Sequence, residues 1–248
     1  MSDSSYTIVN LFIPCQMDMF QPLTANSVTS VLERIGIRCQ YDKDQTCCGR
    51  RFYMQGEMEA ATNLGIQVMA NLGCKTPIVV PDCGCAGYMK KYFRTLLENC
   101  RSSSERTEFV QQVYELCDFI VYVKHIQELG NHFPHRVYYF KSCSARNLYP
   151  QSDAPEILLK NTIGLDLLLP EKQPVCCGAN GRFPMADPAA AEMLTGEVIR
   201  QAYDMGAEVI TSTDIHCLQM LDAYKESHDV GIDIMHIADI LNGESNPM

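Results

Sequence analysis

The feature that most constrains the fold of this chain is an internal repeat built around cysteines. Three segments of the first half recur in the second half in the same order. The matched pairs are residues 11–15 with 139–143, 46–49 with 175–178, and 73–85 with 206–217, the last one residue shorter. Two copies of a unit this long indicate a duplicated domain, since a solenoid requires several short repeats.

The spacing of the cysteines supports the duplication. The first cysteine and the Cys-Cys-Gly turn are 32 positions apart in the first half and 33 in the second. The turn and the last cysteine are then 37 and 40 positions apart. The eight repeated cysteines are Cys15, Cys47, Cys48, Cys85, Cys143, Cys176, Cys177 and Cys217.

Composition narrows the class of protein. The chain has 248 residues and a formal net charge of −10, which disfavours binding to nucleic acid phosphates or anionic lipid. Residues 1–6 contain no basic region, and no apolar run is long enough for a membrane span, so we expect a cytoplasmic protein. A reducing compartment keeps thiols from pairing, so 13 cysteines indicate metal binding or redox chemistry.

Hydrophobic patterning predicts the same architecture in both halves. Short β-branched or aromatic runs predict strands at residues 5–13, 37–41, 77–80, 136–140, 165–169 and 208–211. Amphipathic patterns predict helices at residues 23–35, 57–72, 155–162 and 188–205, with others starting near the last cysteine of each half. The alternation predicts an α/β fold of two duplicated halves, each a small parallel sheet flanked by helices.

The segment between the two halves shows helical periodicity after a serine-rich turn. We therefore predict a linking helix within residues 102–129. The predicted domains are residues 1–130, the first cysteine-rich half with the linking helix, and residues 131–248, the second cysteine-rich half.

The predicted topology brings the repeated cysteines together. Binding sites in parallel α/β units form beyond the C-terminal ends of the strands, and all eight cysteines follow predicted strands. Gly49 and Gly178 allow a turn that aims two adjacent thiolates and backbone amides at one cofactor. Arg50 and Arg182 follow these turns and are candidates to offset the charge of an anionic cluster.

The remaining cysteines have weaker claims. Four have no cysteine at the matching position of the other half and are predicted to be packing residues, namely Cys39, Cys74, Cys100 and Cys117. Cys83 lies two positions before Cys85 and is an additional candidate ligand. His216 is a candidate hydrogen-bond donor to a sulfur or a helix cap, and His236 is predicted to be structural at a helix start.

On these residues the chain resembles the Cys-Cys-Gly cysteine-rich domain family. It is most similar to the lactate-utilisation protein A group and related to the cysteine-rich subunit of heterodisulfide reductase and the glycolate oxidase iron–sulfur subunit. The match runs from Cys15 to the segment 235–241. Carried over residue by residue, the resemblance implies that the eight repeated cysteines are ligands of one or two iron–sulfur clusters, of the 4Fe–4S type.

The terminal motif departs from the family pattern. The heterodisulfide reductase relatives bind unusual four-iron clusters through five cysteines, two of them in a terminal Cys-x-x-Cys. Here Asp82 and Asp214 stand three positions before the last cysteine of each half, and Tyr88 and Met220 stand three after it. Four thiolates per half remain, which suffice for an ordinary four-cysteine cluster.

The resemblance implies an iron–sulfur electron-transfer subunit of a system that oxidises L-lactate or a related 2-hydroxy acid. Its implied partners are the other subunits of that complex, with iron–sulfur and flavin groups. A thiol/disulfide redox protein of the heterodisulfide reductase kind and a zinc-binding scaffold without redox activity are the alternatives, because thiolate softness does not separate zinc from iron. Without a nucleotide-binding glycine motif, we expect an oxidoreductase component that does not catalyse alone.

Overall fold

The computed structural model of the chain describes residues 7–149, 153–179 and 181–243. These residues form two four-stranded sheets, and every strand pairing in them is parallel. The first sheet has the order β2-β1-β3-β4. Its strands are β1 (Ile8–Leu11), β2 (Arg38–Gln40), β3 (Ile78–Val80) and β4 (Val113–Glu115).

Helices connect the strands of the first half. They are α1 (Cys15–Phe20), α2 (Pro22–Arg34), α3 (Arg50–Gln55), α4 (Met58–Leu72), α5 (Cys83–Leu96), α6 (Ser103–Gln112) and α7 (Leu116–Asp118). A π-helical turn, Phe119–Val123, follows α7.

The second half repeats the pattern with the strand order β6-β5-β7-β8. Its strands are β5 (Arg136–Tyr139), β6 (Asp166–Leu168), β7 (Val209–Ser212) and β8 (Asp233–His236). Its helices are α8 (Cys143–Asn147), α9 (Ala154–Lys160), α10 (Phe183–Ala186), α11 (Pro188–Asp204), α12 (Ile215–His228) and α13 (Ile237–Asn242). The matching strand orders confirm the predicted α/β fold of two duplicated halves.

The elements predicted from the sequence form close to their expected limits. Helices α2, α4, α9 and α11 correspond to the four predicted ranges, and all six predicted strands are present. Asp187 caps α11 by accepting a hydrogen bond from the Ala190 amide at 3.0 Å, ahead of Pro188 at the first helical position. Residues 5 and 6 of the first predicted strand lie outside the described residues.

The single linking helix predicted within residues 102–129 is wrong, because a strand interrupts the helical segments there. Helix α6 ends at Gln112, and β4 follows directly, pairing in parallel with β3. Val113 and Glu115 are fully buried, so backbone pairing at the sheet edge outweighs the helical periodicity of the sequence. The second half has an equivalent fourth strand, β8, which the sequence pattern also did not indicate.

One hydrophobic cluster joins the two halves. Side chains alternate between the two faces of a strand, so Val79 of β3 joins a cluster shared with the second half, whereas Ile78 packs into a cluster confined mainly to the first. In β5, Tyr139 joins the shared cluster and Tyr138 faces the opposite side. Helices α2, α9 and α13 complete the shared cluster. The division near residue 130 therefore stays a prediction about the chain, because the cores of the two halves are continuous.

Helix α2 of the first half packs against α13 of the second. The Arg34 guanidinium donates hydrogen bonds to the backbone carbonyls of Leu241 at 2.9 Å and Asn242 at 2.8 Å. These carbonyls lie at the end of α13, where no intrahelical donor remains and a positive charge is favoured. Among the described residues, no helix combines the length and apolar character that a bilayer crossing requires.

This contact predicts the effect of removing the Arg34 side chain. Arg34→Ala should lower the free energy of unfolding by about 1 to 2 kcal/mol, because the last carbonyls of α13 lose charged donors. Urea unfolding followed by circular dichroism measures the change. Arg38→Ala, at an exposed position of β2, is the control and should change stability by less than about 0.5 kcal/mol. Equal losses in the two variants would contradict the capping role.

Candidate metal centres

The repeated cysteines occupy equivalent positions relative to the two sheets. Cys15 opens α1 four residues after β1 ends, and Cys143 opens α8 four residues after β5 ends. Cys85 and Cys217 each occupy the third position of a long helix, α5 and α12. Because all these helices follow parallel strands, the cysteines gather at the C-terminal edge of each sheet, as the sequence predicts.

In the first half, four cysteine sulfurs form two contacting pairs. The Sγ atoms of Cys15 and Cys47 are 3.5 Å apart, and those of Cys48 and Cys85 are 3.3 Å apart. The adjacent Cys47 and Cys48 join the two pairs. The Gly49 amide donates a hydrogen bond to Cys47 Sγ at 3.4 Å, so the glycine turn supplies a backbone donor to the sulfurs.

The second half repeats this arrangement. The Sγ atoms of Cys143 and Cys176 are 4.0 Å apart, and the Gly178 amide lies 3.3 Å from Cys176 Sγ. Cys177 and Cys217 are joined as a disulfide with a Cα–Cα distance of 5.8 Å. Two thiolates on one tetrahedral metal ion lie roughly 3.8 Å apart, given bonds of about 2.3 Å. The structure thus brings the eight sulfurs into two groups. The three pairs that are not bonded have about the spacing of thiolates on one metal ion, and the second group can hold a metal once the disulfide between Cys177 and Cys217 is reduced.

Both Cys-Cys-Gly turns require glycine. Gly49 and Gly178 have φ values of +86° and +80°, a region that residues with a Cβ rarely adopt. A Cβ at Gly178 would lie 2.7 Å from the Ala191 carbonyl oxygen of α11, and one at Gly49 would lie 3.2 Å from the Ala61 oxygen of α4. The glycines therefore let each turn approach a helix closely while presenting two cysteines.

The more exposed pair of cysteines in each half, called the outer pair, consists of Cys15 and Cys47 or of Cys143 and Cys176. A hydrogen bond makes one member of each outer pair a thiolate and the other a thiol. The hydrogen bond from Cys15 lowers the pKa of Cys47 to about 3, and the one from Cys143 lowers the pKa of Cys176 to about 6. The same hydrogen bonds, with burial, raise the pKa of Cys15 and Cys143 above the ordinary thiol value. The first cysteine of each Cys-Cys-Gly turn is therefore the thiolate at neutral pH, and thiolates are the metal-binding form.

The inner cysteines are more deeply buried. Cys85 accepts a hydrogen bond from Cys48, which lowers its pKa, but burial and the negative charges of Asp82 and Cys47 together raise the pKa to about 11. The Cys48 thiol has a pKa well above its ordinary value because of its hydrogen bonds to Cys47 and Cys85 and its burial. Each centre thus has a buried inner side and a half-buried outer side.

Two aspartates lie at the boundary between the halves, and Asp82 accepts a hydrogen bond across it. Asp82 caps α5 by accepting a hydrogen bond from the Cys85 amide, and its other oxygen accepts one from Ile215 of the second half at 3.0 Å. Asp214, at the start of α12, accepts a hydrogen bond from Ser142 Oγ at 3.0 Å. Both carboxylates are fully buried. The first turns of α5 and α12 are therefore held together by polar contacts between the halves.

The candidate arginines differ in their surroundings. Arg50 is only 5% exposed and donates a hydrogen bond to Ser144 Oγ of the second half at 3.0 Å. Burial lowers its pKa, but Asp214 and Asp82 outweigh that effect and raise the pKa above the ordinary value. Arg182, by contrast, is exposed at the start of α10, where its role as a cluster partner stays a prediction.

Cys83 faces the other half of the chain. It is fully buried, its Sγ lies 3.6 Å from Ser142 Oγ, and burial raises its pKa well above the ordinary value. Its sulfur thus contacts the second half, and its candidacy as a fifth ligand stays a prediction. Cys39, Cys74 and Cys117 pack against the hydrophobic clusters as expected. The packing prediction is wrong for Cys100, which is exposed in a turn after α5 ends.

The two candidate histidines, His216 and His236, have different surroundings. His236 is buried and caps α13 by accepting a hydrogen bond from the Ala238 amide at 3.1 Å, so its structural interpretation is confirmed. His216 Nδ1 lies 4.0 Å from Asp214 Oδ1. Asp82, Asp214 and His216 could together offer ligand atoms to a cation, but the buried charge of Arg50 beside both carboxylates opposes a second cation there.

The polar bridge between the halves was not foreseen from the sequence. Asp82 and Asp214 stood out there only as departures from the terminal Cys-x-x-Cys pattern. Their occurrence at the same position of both repeats was the available signal, since an aspartate three residues before the last cysteine suits a helix cap. Nothing in the sequence indicated that Asp82 accepts a hydrogen bond from Ile215 of the opposite half, or that Arg50 of the first half lies near Asp214.

Comparison with known proteins agrees with the duplication. A model of the family described as "CCG: Cysteine-rich domain" matches residues 9–90 and 137–222. Among curated proteins, Lactate utilization protein A 1 of Bacillus cereus (strain AH820) and Lactate utilization protein A of Bacillus thuringiensis (strain Al Hakam) are each 30% identical over 238 residues. These alignments cover 96% of this chain and 99% of each relative.

A solved structure shares the fold. It is titled "Crystal structure of a hypothetical protein from Helicobacter pylori" and aligns with a TM-score of 0.58 at 12% sequence identity. The alignment covers 97% of this chain and 50% of that one, so this chain spans half the length of the solved protein.

The close approach of α11 to the second turn predicts the cost of a side chain at Gly178. Gly178→Ala should lower the free energy of unfolding by about 2 to 4 kcal/mol, from backbone strain plus the clash with the Ala191 oxygen. Gly56→Ala is the matched control, because Gly56 has a φ of +82° and open space around it. It should cost only the strain, about 1 to 2 kcal/mol. Urea unfolding measures the loss of stability in both variants. Equal losses of unfolding free energy would argue against the close contact between Gly178 and α11.

The pairing of thiolate with thiol predicts an order of reactivity in the reduced, metal-free protein. At pH 7 iodoacetamide should modify Cys47 and Cys176 faster than Cys15 and Cys143, although all four are half-buried. The rate at Cys176 should fall as the pH drops through about 6, while Cys47 stays reactive because its pKa is about 3. Peptide mass spectrometry measures the rates, and faster labelling of Cys15 or Cys143 would contradict the assignment.

Proposed function

This chain belongs to the CCG cysteine-rich domain family, and on that premise we propose that it is an iron–sulfur electron-transfer subunit of a system that oxidises L-lactate or a related 2-hydroxy acid. The observation that carries the proposal is the gathering of four cysteine sulfurs in each half. The relatives named Lactate utilization protein A, aligned over nearly their whole length, support the lactate system.

The residues present fit an iron–sulfur cluster in each half. A 4Fe–4S cluster takes four cysteine thiolates, and each half offers four once the disulfide between Cys177 and Cys217 in the second half is reduced. Hydrogen bonds to the sulfurs are typical of such sites, and the amides of Gly49 and Gly178 already point at Cys47 and Cys176. When bound, a cluster of this kind supplies one-electron transfer.

The chain's own groups prepare and protect such a site. Cys47 and Cys176 are thiolates at neutral pH, so they can bind metal without first losing a proton. The buried inner cysteines, Cys48 and Cys85 in the first half, keep water from one side of the site. The half-buried outer cysteines leave the other side accessible, which gives electrons a short path to a partner protein.

The contact between the halves suits transfer between two centres. Helix α5, which carries Cys85, packs against α8, which begins at Cys143, and α1 packs against α12 in the matching way. Both candidate centres therefore adjoin the same boundary, and we infer that electrons pass between them. Removal of a hydride from the hydroxy acid requires a flavin or nicotinamide, so we assign that step to another subunit of the system.

Metal and sulfide analysis tests the proposal. The protein purified without oxygen should contain about four to eight irons per chain with an equal amount of sulfide, because each 4Fe–4S cluster holds four of each. It should show broad visible absorbance that bleaches on reduction. Four thiolates also bind zinc, so zinc is measured in the same sample. Zinc without sulfide would overturn the proposal in favour of a metal-stabilised scaffold.

Two cysteine variants test the ligand assignment. Cys177→Ser should remove the iron of the second half, about half of a fully loaded chain, because it removes a proposed ligand. Cys117→Ser is the matched control, since Cys117 is equally buried but packs in the shared hydrophobic cluster. Its iron content should equal that of the unmodified chain, and equal iron loss from both variants would refute the assignment.

A further inference from the structure

We propose that Arg50 is a positioning residue whose fixed positive charge is shared by both cysteine centres and sets their reduction potentials together. The proposal rests on the function proposed above and assigns one residue a role toward both halves. Arg50 immediately follows the first Cys-Cys-Gly turn, but its side chain is directed at the second half.

The hydrogen bond of Arg50 fixes where its charge lies. Nη2 donates to Ser144 Oγ at 3.0 Å, and Ser144 follows Cys143 directly in α8. The Arg50 side chain therefore extends from the turn that carries two proposed ligands of the first centre. Its guanidinium lies beside α8, the helix that carries a proposed ligand of the second centre. Its charge does not depend on pH in the accessible range, because arginine stays protonated in proteins.

The first half makes room for this position. Gly84 lies between Cys83 and Cys85 in α5, and a Cβ there would lie 1.8 Å from Arg50 Nη1. Only glycine at this position lets the guanidinium rest against the backbone of α5. Arg50 is thus enclosed between the helix of Cys85 and the helix of Cys143.

The surroundings of Arg50 make its charge effective. Arg50, Asp82 and Asp214 are all buried, and charges act more strongly on each other in the protein interior than in water. The guanidinium of Arg50 lies against the first turn of α5, which carries Cys85, and donates to the residue that follows Cys143. A positive charge held this close to ligands of both centres stabilises the more negative, reduced form of a cluster in each half.

The repeat is broken at this position. The residue after the second Cys-Cys-Gly turn is Ala179, so the second half supplies no equivalent arginine. One guanidinium at the boundary therefore serves two centres. The two potentials are expected to move in the same direction when this charge is removed.

Potentiometric titration followed by electron paramagnetic resonance tests the proposal on the cluster-loaded protein. Arg50→Gln should lower the midpoint potential of both centres. Arg50→Lys keeps the charge and should shift the potentials less than Arg50→Gln. Arg51→Gln removes an exposed charge from the neighbouring position and should leave both potentials unchanged. Unchanged potentials in Arg50→Gln, a shift confined to one centre, or equal shifts in the Gln and Lys variants would overturn the proposal.

A second variant decides the matter if Arg50→Gln does not fold. Asp214→Asn removes a negative charge that offsets the positive charge of Arg50, so the reduction potentials of both centres should rise. Lower or unchanged potentials would overturn the proposal that Arg50 acts on both centres. A purely structural role of the bridge does not predict opposite signs for the two substitutions. Failure of the proposed function is distinguishable, because an unmodified chain purified without oxygen would then contain no iron or sulfide to titrate.

Discussion

The parallel direction of all the strands is the constraint on which the rest of the structure depends. In a parallel sheet every strand ends at the same edge, so the loops that leave β1, β2 and β3 meet there. Cysteines far apart in sequence come within 3.3 to 3.5 Å in the first half for this reason. The duplication repeats the arrangement, and the shared hydrophobic cluster fixes the two edges relative to each other.

Buried charge at the boundary between the halves is costly, which bears on its role. Removing an arginine and two carboxylates from water carries a penalty of several kcal/mol per ion, and well-packed apolar groups are often at least as stabilising. Asp82 recovers part of this by accepting backbone hydrogen bonds from both halves. Apolar packing already joins the halves through α2 and α13, so the buried charges are not needed to hold the halves together. The position of Arg50 between the two groups of cysteines therefore favours an electrostatic role toward the centres.

The sulfur groups are organised before any metal binds. In each outer pair one thiol donates to the other, and the glycine amide donates to the same acceptor. This leaves one thiolate per half at neutral pH, so less negative charge is concentrated in a small volume. The other sulfurs of the first half and Cys143 are protonated, and Cys177 and Cys217 are joined to each other. Metal binding then displaces the remaining protons, and affinity should fall as the solution becomes more acidic.

The sequence alone determined the duplicated α/β fold, six of the eight strands in the part of the chain that the structure describes, and the eight cysteines that meet. It did so because the repeat marks equivalent positions and the hydrophobic period marks each element. It did not reveal β4 or β8, since three- or four-residue edge strands are defined by pairing with a neighbour rather than by their own pattern. Nor did the sequence show that Arg50 is buried at the boundary between the halves whereas Arg182 is exposed. Only the tertiary structure decided that Arg50 is buried against Ser144 and that Asp82 binds Ile215, because contacts between halves arise from packing that no local spacing records.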